Sequence, residues 1–334
     1  MARKTTIYVA LFAATVAVAA IAALLWLGTQ RAPLAARLLP EADAIVYLDL
    51  RPMRLAATLA QTPKIERDAE YDNFVRATGF EFERDLQQAA IAVHLPATSA
   101  PPASGGEPRF SEIFVGRFDT ARVTNYFRKN ARQIENYRGH EIFVVPVEGR
   151  TVRLALLSQD TAAVSNVEDQ QVIRSMIDAF AGRWRARGPQ LVQAHYRDLP
   201  AASLAWALAE LSQSPTLGGI QIQMPADVTW VASVRYAGSI DLEAQAIARS
   251  ENDAKQIADT LNLFSGMTRS IQANLRAGGT DPDVKKFFDS LQMRQNKNRV
   301  VLTAEVPVGF VKKLAESTKD ESVERTKVEG RRSK

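Results

Sequence analysis

The residues in this chain best suited to moving a proton near neutral pH, or to holding a metal, are three histidines, His94, His140 and His195. They stand apart. None has a second His at the i+4 spacing that puts two imidazoles on one helical face, and none has the neighbouring Glu of a zinc helix. Each is therefore expected to pack or to meet solvent, His94 at the end of a strand, His140 at the start of one and His195 between helices. Cys is absent, which excludes thiolate nucleophiles, thiolate metal sites, disulfides and lipid-modified Cys. No Gly-rich phosphate loop, dinucleotide fingerprint or nucleophile elbow occurs. The sequence thus assigns no catalytic residue, no cofactor and no metal ligand, although a site assembled from distant positions stays open.

Two charged groups call for a closer reading. Asp49 falls in the apolar run Ile45 to Leu50, where a carboxylate could be partly buried and its pKa raised. Alternation puts Ile45, Tyr47 and Asp49 on one face, so Asp49 could also end the strand in solvent or pair with Arg51 or Arg54. Arg183, Trp184, Arg185 and Arg187 set an indole among three guanidinium groups, a combination able to contact an anionic ligand or a partner. The plainer reading is a solvated helix end running into the Gly188-Pro189 break. Glu83-Arg84-Asp85 reads as the start of a helix.

Composition narrows the function classes. The chain is basic overall, with 42 Lys and Arg against 37 Asp and Glu. Setting aside residues 1–31 and 317–334, 33 basic and 33 acidic side chains remain. The body is neutral, so nucleic acid is not an expected partner, since a polyanion-binding domain needs a clustered surplus.

From Ile7 to Leu27 the chain carries no charge and a single polar residue, Thr15. At about 1.5 Å per helical residue this stretch matches a hydrocarbon core of roughly 30 Å. A cleaved signal is the rival, with Arg3 and Lys4 as its positive end and Ala20-Ile21-Ala22 as the cut. However, signal cores run to about 7 to 15 residues, and this one continues through Leu24, Leu25, Trp26 and Leu27. The expectation is a single-pass anchor in a bacterial inner membrane, with lipid as a partner and the C-terminal domain periplasmic or extracellular. Arg31 and Arg37 on the far side weaken the charge asymmetry on which that orientation rests.

Beyond the anchor the periodicity predicts an α+β fold of antiparallel sheets with helices on one face. Strands are expected at Ala44 to Leu50, Ala90 to Leu95, Glu112 to Phe118, Glu141 to Val147, Thr151 to Leu157 and near Ala163. Helices are expected at Met53 to Ala60, Ile65 to Ala77 with Phe74 and Val75 buried, Asp119 or Thr120 to Gln133, and Glu168 to Phe180. On the strand from Thr151, Val152, Leu154 and Leu156 alternate with Arg153, the pattern of one buried face. Further on come strands at Leu204 to Leu208, Val228 to Tyr236 and Ile240 to Ala248, then a helix over Glu251 to Leu275 with an apolar stripe of Ile257, Leu261, Phe264, Ile271 and Leu275. A hairpin around Lys297 and a last helix follow.

Leu39, Pro40, Ala42 and Leu48 recur at an offset of 160 as Leu199, Pro200, Ala202 and Leu208. With the similar order of elements this suggests two tandem halves. The alternative is two unrelated segments sharing a generic order. The expected division is an anchor over 1–30, a first half over 31–182, a connector over 183–198, a second half over 199–316 and a disordered charged tail over 317–334. A pseudo-twofold between the halves would create a groove lined from both, with Arg183 to Arg187 near its rim.

Leu39-Pro40-Glu41-Ala42-Asp43 leading into Val46-Tyr47-Leu48-Asp49-Leu50, together with Thr78-Gly79-Phe80 and Arg84-Asp85-Leu86, resembles segments of a bacterial group of membrane-anchored envelope proteins of unknown function. The resemblance implies an envelope location and transfers no catalytic residue. Two function classes follow: a non-catalytic module binding an envelope protein or an apolar ligand, or an envelope hydrolase or transferase with a dispersed site.

Overall fold

The computed structural model describes residues 31–52, 69–95, 109–147, 149–211, 216–217, 220–221, 225–236, 239–275, 282–307 and 309. The apolar segment from Ile7 to Leu27, the expected helix from Met53 to Ala60, the loop from Pro96 to Pro108, the last helix and the charged tail lie outside the described residues. Among the described residues no helix is long and apolar enough to cross a membrane.

The first stretch comprises α1 (Leu34–Arg37), β1 (Ala44–Asp49), α2 (Ala69–Thr78), α3 (Phe82–Asp85), β2 (Leu86–His94) and β3 (Arg109–Gly116). Next come α4 (Thr120–Asn130), β4 (Gln133–Tyr137), β5 (His140–Val147), β6 (Arg150–Leu156), β7 (Thr161–Ser165), α5 (Gln170–Ala181) and α6 (Gln190–His195). The chain continues through β8 (Ala205–Leu211), β9 (Thr216–Leu217), β10 (Ile220–Gln221), β11 (Val228–Tyr236), β12 (Ile240–Ile247), α7 (Glu251–Leu275), α8 (Pro282–Ser290), β13 (Gln292–Asn296) and β14 (Arg299–Val306). Apart from the β9–β10 pair, the strands form one sheet ordered β13-β14-β12-β11-β8-β1-β2-β3-β7-β6-β5-β4. Every neighbouring pair in it is antiparallel.

β1 and β8 are neighbours at the centre, with Tyr47 opposite Trp206 and their rings stacked at 5.3 Å. Outward from this seam the order is β2, β3, β7 on one side and β11, β12, β14 on the other. The offset of 160 does not carry into the strands. Directly opposed residues of an antiparallel pair share a face, so buried Ile45, Tyr47, Trp206 and Leu208 point the same way. Leu48, which the offset pairs with Leu208, points to the other face. The turn leading into β8 is one residue longer, with Ala202 held at φ 60, and the inward positions of the two strands match at 161 instead.

Helices cover both faces of the sheet, not the single face expected from the strand order. On one face, α1, α5 and α6 share a core with Ile45, Tyr47, Ala90, Ile113 and Leu208. Asp169 caps α5 by accepting from the Gln171 N–H, and Ile173, Met176 and Ile177, at helical spacing, are fully buried. The strands below offer Ala155 and Ala163, both at 0 % exposure, and these small side chains let the helix settle close. Each such large apolar side chain removed from water stabilises by about 1.5–3 kcal/mol. On the other face lie α2 and α4 over the first part of the sheet, and α7 and α8 over the second. There Ile257 and Leu261 of α7 pack against Val228, Ala246 and Val300. The side chains of Phe264, Ile271 and Leu275 lie outside the described residues.

Several boundaries differ from expectation. α4 stops at Asn130 because Ala131 turns extended, at ψ 134, and starts a connection into the unexpected edge strand β4. α3 is one complete turn, so Glu83 to Asp85 end a helix and β2 begins at Leu86, four residues early. α8 was not expected. His195 is the last residue of α6, not part of a linker.

Candidate functional site

A groove of about 730 Å³ lies between α2, α4 and the sheet. Its floor is the face carrying Phe114, Val145, Val152, Leu154, Leu156 and Val164, which cross-strand pairing places side by side. Tyr71 and Phe74 from α2, Phe80 and Phe82 from the turn after it, Phe118, and Tyr126 and Phe127 from α4 wall it in. Eight of the chain's 25 aromatic residues thus line one groove. Their rings touch in sequence: Tyr71 stacks on Phe82 at 5.8 Å, Phe82 meets Phe74 at 6.1 Å and Phe80 at 5.2 Å, and Phe80 stacks on Phe118 at 4.8 Å. Phe74 also meets Tyr126 edge-on at 5.5 Å. Such ring pairs fix one another's orientation beyond what area burial alone would do.

The local sequence explains how these rings converge. Thr78 closes α2 with its hydroxyl donating to the Phe74 carbonyl, and Gly79 takes φ +74, a backbone state that disfavours any side chain. This reversal returns Phe80 and Phe82 toward the sheet. Phe82 N–H donates to the Tyr71 hydroxyl at 3.0 Å, and that hydroxyl donates to Glu83 at 2.5 Å, so the polar atoms of the wall are engaged on its outside. The groove is consequently apolar and open, with Phe82 39 % and Val147 43 % exposed.

Two sequence expectations change here. Val152, Leu154 and Leu156 do form one stripe of β6, but they are half-exposed groove floor. The buried residue of that strand is Ala155, on the opposite face under α5. Phe74 and Val75 are likewise only half-buried, Phe74 as groove wall. On the same sheet face, one strand in from Val164, stands Glu112. Its cross-strand neighbours are Ile91 and Val164, its strand neighbours on that face are Phe110 and Phe114, and it has no hydrogen bond or ion pair among the described residues. Burial pushes its carboxyl above the usual glutamate range.

A second cavity, of about 500 Å³, lies on the other face at the β1–β8 seam. Tyr47, Asp49 and Gln88 line it from one side, and Tyr196, Pro200 and Trp206 from the other. Asp49 is paired with Arg51 through two bonds, Nε to Oδ1 at 2.9 Å and a terminal nitrogen to Oδ2 at 2.6 Å. Beside this cavity Asp198 joins the His195 ring, at 3.0 Å, to Arg299 at 2.8 Å, tying the connector to β14. Burial opposes ionisation of Asp198, but the hydrogen bonds from Arg299 and His195 outweigh it and hold its carboxyl below the usual range.

The Arg183 cluster lines neither cavity. Arg183 lies over the Phe180 ring at 4.8 Å and beside Trp184, which is 84 % exposed. Arg183, Trp184 and Arg185 form a surface turn, and Arg187 follows it, exposed. His140 Nδ1 is 3.0 Å from the Leu156 carbonyl, a packing contact. His94 Nε2 meets the Ser111 hydroxyl at 3.0 Å, and Ser111 meets Ser165 at 3.0 Å, a juxtaposition that invites comparison with a nucleophile and its base. Its polarity runs the wrong way. When Ser165 donates to the Phe110 carbonyl, at 3.3 Å, Ser111 is left to donate to Ser165 and to accept from a proton on His94 Nε2. Ser111 is also at 0 % exposure and lines neither cavity. Among the described residues no group of three or more His, Asp or Glu is placed to hold a metal ion.

No family model matches the chain, and no curated protein matches it either. Three solved structures are similar in outline. Crystal form IV of TP0453 has a TM-score of 0.44 at 10 % identity, covering 85 % of this chain and 96 % of that one. Crystal forms I and III give TM-scores of 0.42 and 0.45 at 10 % and 9 % identity, covering 86 % and 85 % of this chain and 97 % and 98 % of those. The likeness is one of overall α+β shape and says nothing about function.

Proposed function

We propose that this chain is a non-catalytic binding module of the bacterial envelope, tethered to the inner membrane by Ile7 to Leu27, and that it takes an apolar ligand in the aromatic groove. The observation that carries this reading is the groove itself. Seven aromatic side chains and a floor of branched aliphatic ones remain partly open to solvent, with Phe80 buried among them, whereas the opposite face of the same strands buries Ile113, Ile142, Ala155 and Ala163 completely. Its volume of about 730 Å³ falls within the range of roughly 300–1,000 Å³ common for small-ligand pockets. A concave, mostly apolar lining with aromatic walls is the usual make-up of a small-ligand site.

The tandem halves belong to the same proposal. The two central strands match face for face at an offset of 161, and the order β8, β11, β12, β14 outward mirrors β1, β2, β3, β7. In this reading the first copy gained the outer strands β4 and β5 and the groove under α2 and α4, so ligand binding belongs to one half.

Photo-crosslinking tests the reading. Membranes containing the full chain are incubated with a diazirine-bearing long-chain fatty acid, irradiated and digested. Label on the peptides bearing Phe114 and Tyr126 is expected; label confined to residues 7–27, or none at all, would refute groove binding.

A further inference from the structure

The seam cavity has the construction of a second, polar binding site. Tyr47 is 3 % exposed and lines it, yet the Tyr47 hydroxyl has no hydrogen-bond partner among the described residues. The hydroxyl is not among the side-chain atoms shut off from solvent without a partner, so it opens onto the cavity as a free donor. Tyr196 also lines the cavity with its hydroxyl unpartnered among the described residues, and its ring meets Trp206 edge-on at 5.9 Å. Burial raises both phenols above their usual range, with Asp49 adding to the effect at Tyr47, so both stay O–H donors at any physiological pH.

The charge around the opening has a definite sign. The Asp49 carboxylate is occupied by Arg51 on both oxygens. Arg31 and Arg197, exposed at the mouth, have no ion pair among the described residues. The cavity thus combines an aromatic base, two tyrosine hydroxyls and two guanidinium groups with no ion pair among the described residues, whose planar forks suit phosphoryl oxygens.

We infer that the seam cavity binds an organic phosphate, its oxygens held by the Tyr47 and Tyr196 hydroxyls and the Arg31 and Arg197 guanidiniums, with its organic part against Trp206. The phosphate could be free or the headgroup of a lipid. Arg31 follows Leu27 by four residues, which an extended chain spans in roughly 14 Å, so under the proposed anchoring the mouth lies within reach of the bilayer surface. The site is independent of the apolar groove, on the opposite face of the sheet.

The test uses the full chain in phosphate-free maltoside micelles, with calorimetric titration of glycerol 1-phosphate, of inorganic phosphate, and of the same micelles doped with phosphatidylglycerol. Saturable binding of at least one probe, one per chain, is expected. Tyr47→Phe, which keeps the ring and removes the hydroxyl, and Arg197→Ala should each weaken it tenfold or more. Response to the doped micelles alone identifies a lipid headgroup, and response to the soluble probes a free phosphate. Arg197 is exposed and makes no ion pair among the described residues, so its removal should leave the ligand-free melting temperature unchanged, separating lost binding from lost folding. Absence of saturable binding by all three probes, or equal affinity in wild type and both variants, would overturn the assignment.

Discussion

Replacing Glu112 by Leu should stabilise this protein. The carboxyl stands on a sheet face between Ile91 and Val164, with Phe110 and Phe114 along the strand, and no described residue hydrogen-bonds or pairs with it. Holding such a carboxylate largely out of water with no partner among the described residues, its oxygens only touching solvent, costs about 1–3 kcal/mol. Leu fills a similar volume, suits the neighbours and removes that cost, so a gain of about 1–3 kcal/mol at pH 7 is expected. At about 2–4 °C per kcal/mol for a domain of this order, the melting temperature rises by several degrees. The pH dependence gives an independent check. Burial raises the folded-state pKa above the ordinary value of 4.5. The folded chain then binds more protons than the unfolded one above that pH, and this group's contribution falls as pH rises from 4.5 through the raised value. Thermal unfolding followed by circular dichroism from pH 4 to 8 should show this decline in the wild type and its loss in Glu112→Leu. A variant less stable at pH 7, or one with the wild-type slope, would show that Glu112 has a partner or role that the packing does not reveal.

Asp198→Ala should cost about 1–3 kcal/mol in urea denaturation, because it strands Arg299 and releases the connector from β14. Since the Asp198 carboxyl is held below the usual 3.8, its stabilisation is present above that pH and is lost as pH falls through the lowered value, an acid limb that the variant should lack. Gly116→Ala should destabilise by about 1–3 kcal/mol in the same assay, because a Cβ there would come within 2.6 Å of the Asp85 carbonyl oxygen, a backbone atom that cannot move aside. Leu154→Asp, on the half-open groove floor, should shift the melting temperature by only a few degrees and yet abolish fatty-acid crosslinking.

Strand and helix types were readable in most of the long elements with one buried face, whereas α1, α6 and α8, short or weakly patterned, were not. Val228 to Tyr236 and the helix from Glu251 to Leu275 occur with the bounds that their patterns predict. What covers a face is a different matter. The alternation of Val152, Leu154 and Leu156 is the same whether a helix lies on it or a groove opens above it, and only the packing of α5 on Ala155 decides between them. β4 was missed because Gln133 to Tyr137 is an edge strand with three exposed residues in five and little apolar pattern. The groove was illegible for a related reason. Its aromatic residues are scattered from Tyr71 to Phe127 and converge only through the Gly79 reversal and the β2–β3 pairing. The Asp49–Arg51 pair lay within two residues and could be anticipated, whereas the setting of the Tyr47 hydroxyl, without a partner among the described residues, depends on Trp206, 159 residues away.

Anomalous diffraction from crystals grown with 10-bromodecanoic acid would test the apolar groove most directly. The proposal predicts one bromine peak between α2, α4 and the sheet, in contact with Phe82, Phe114 or Tyr126, and its disappearance in Leu154→Asp. An empty groove in crystals whose bromine sits elsewhere, or that hold none, would contradict it.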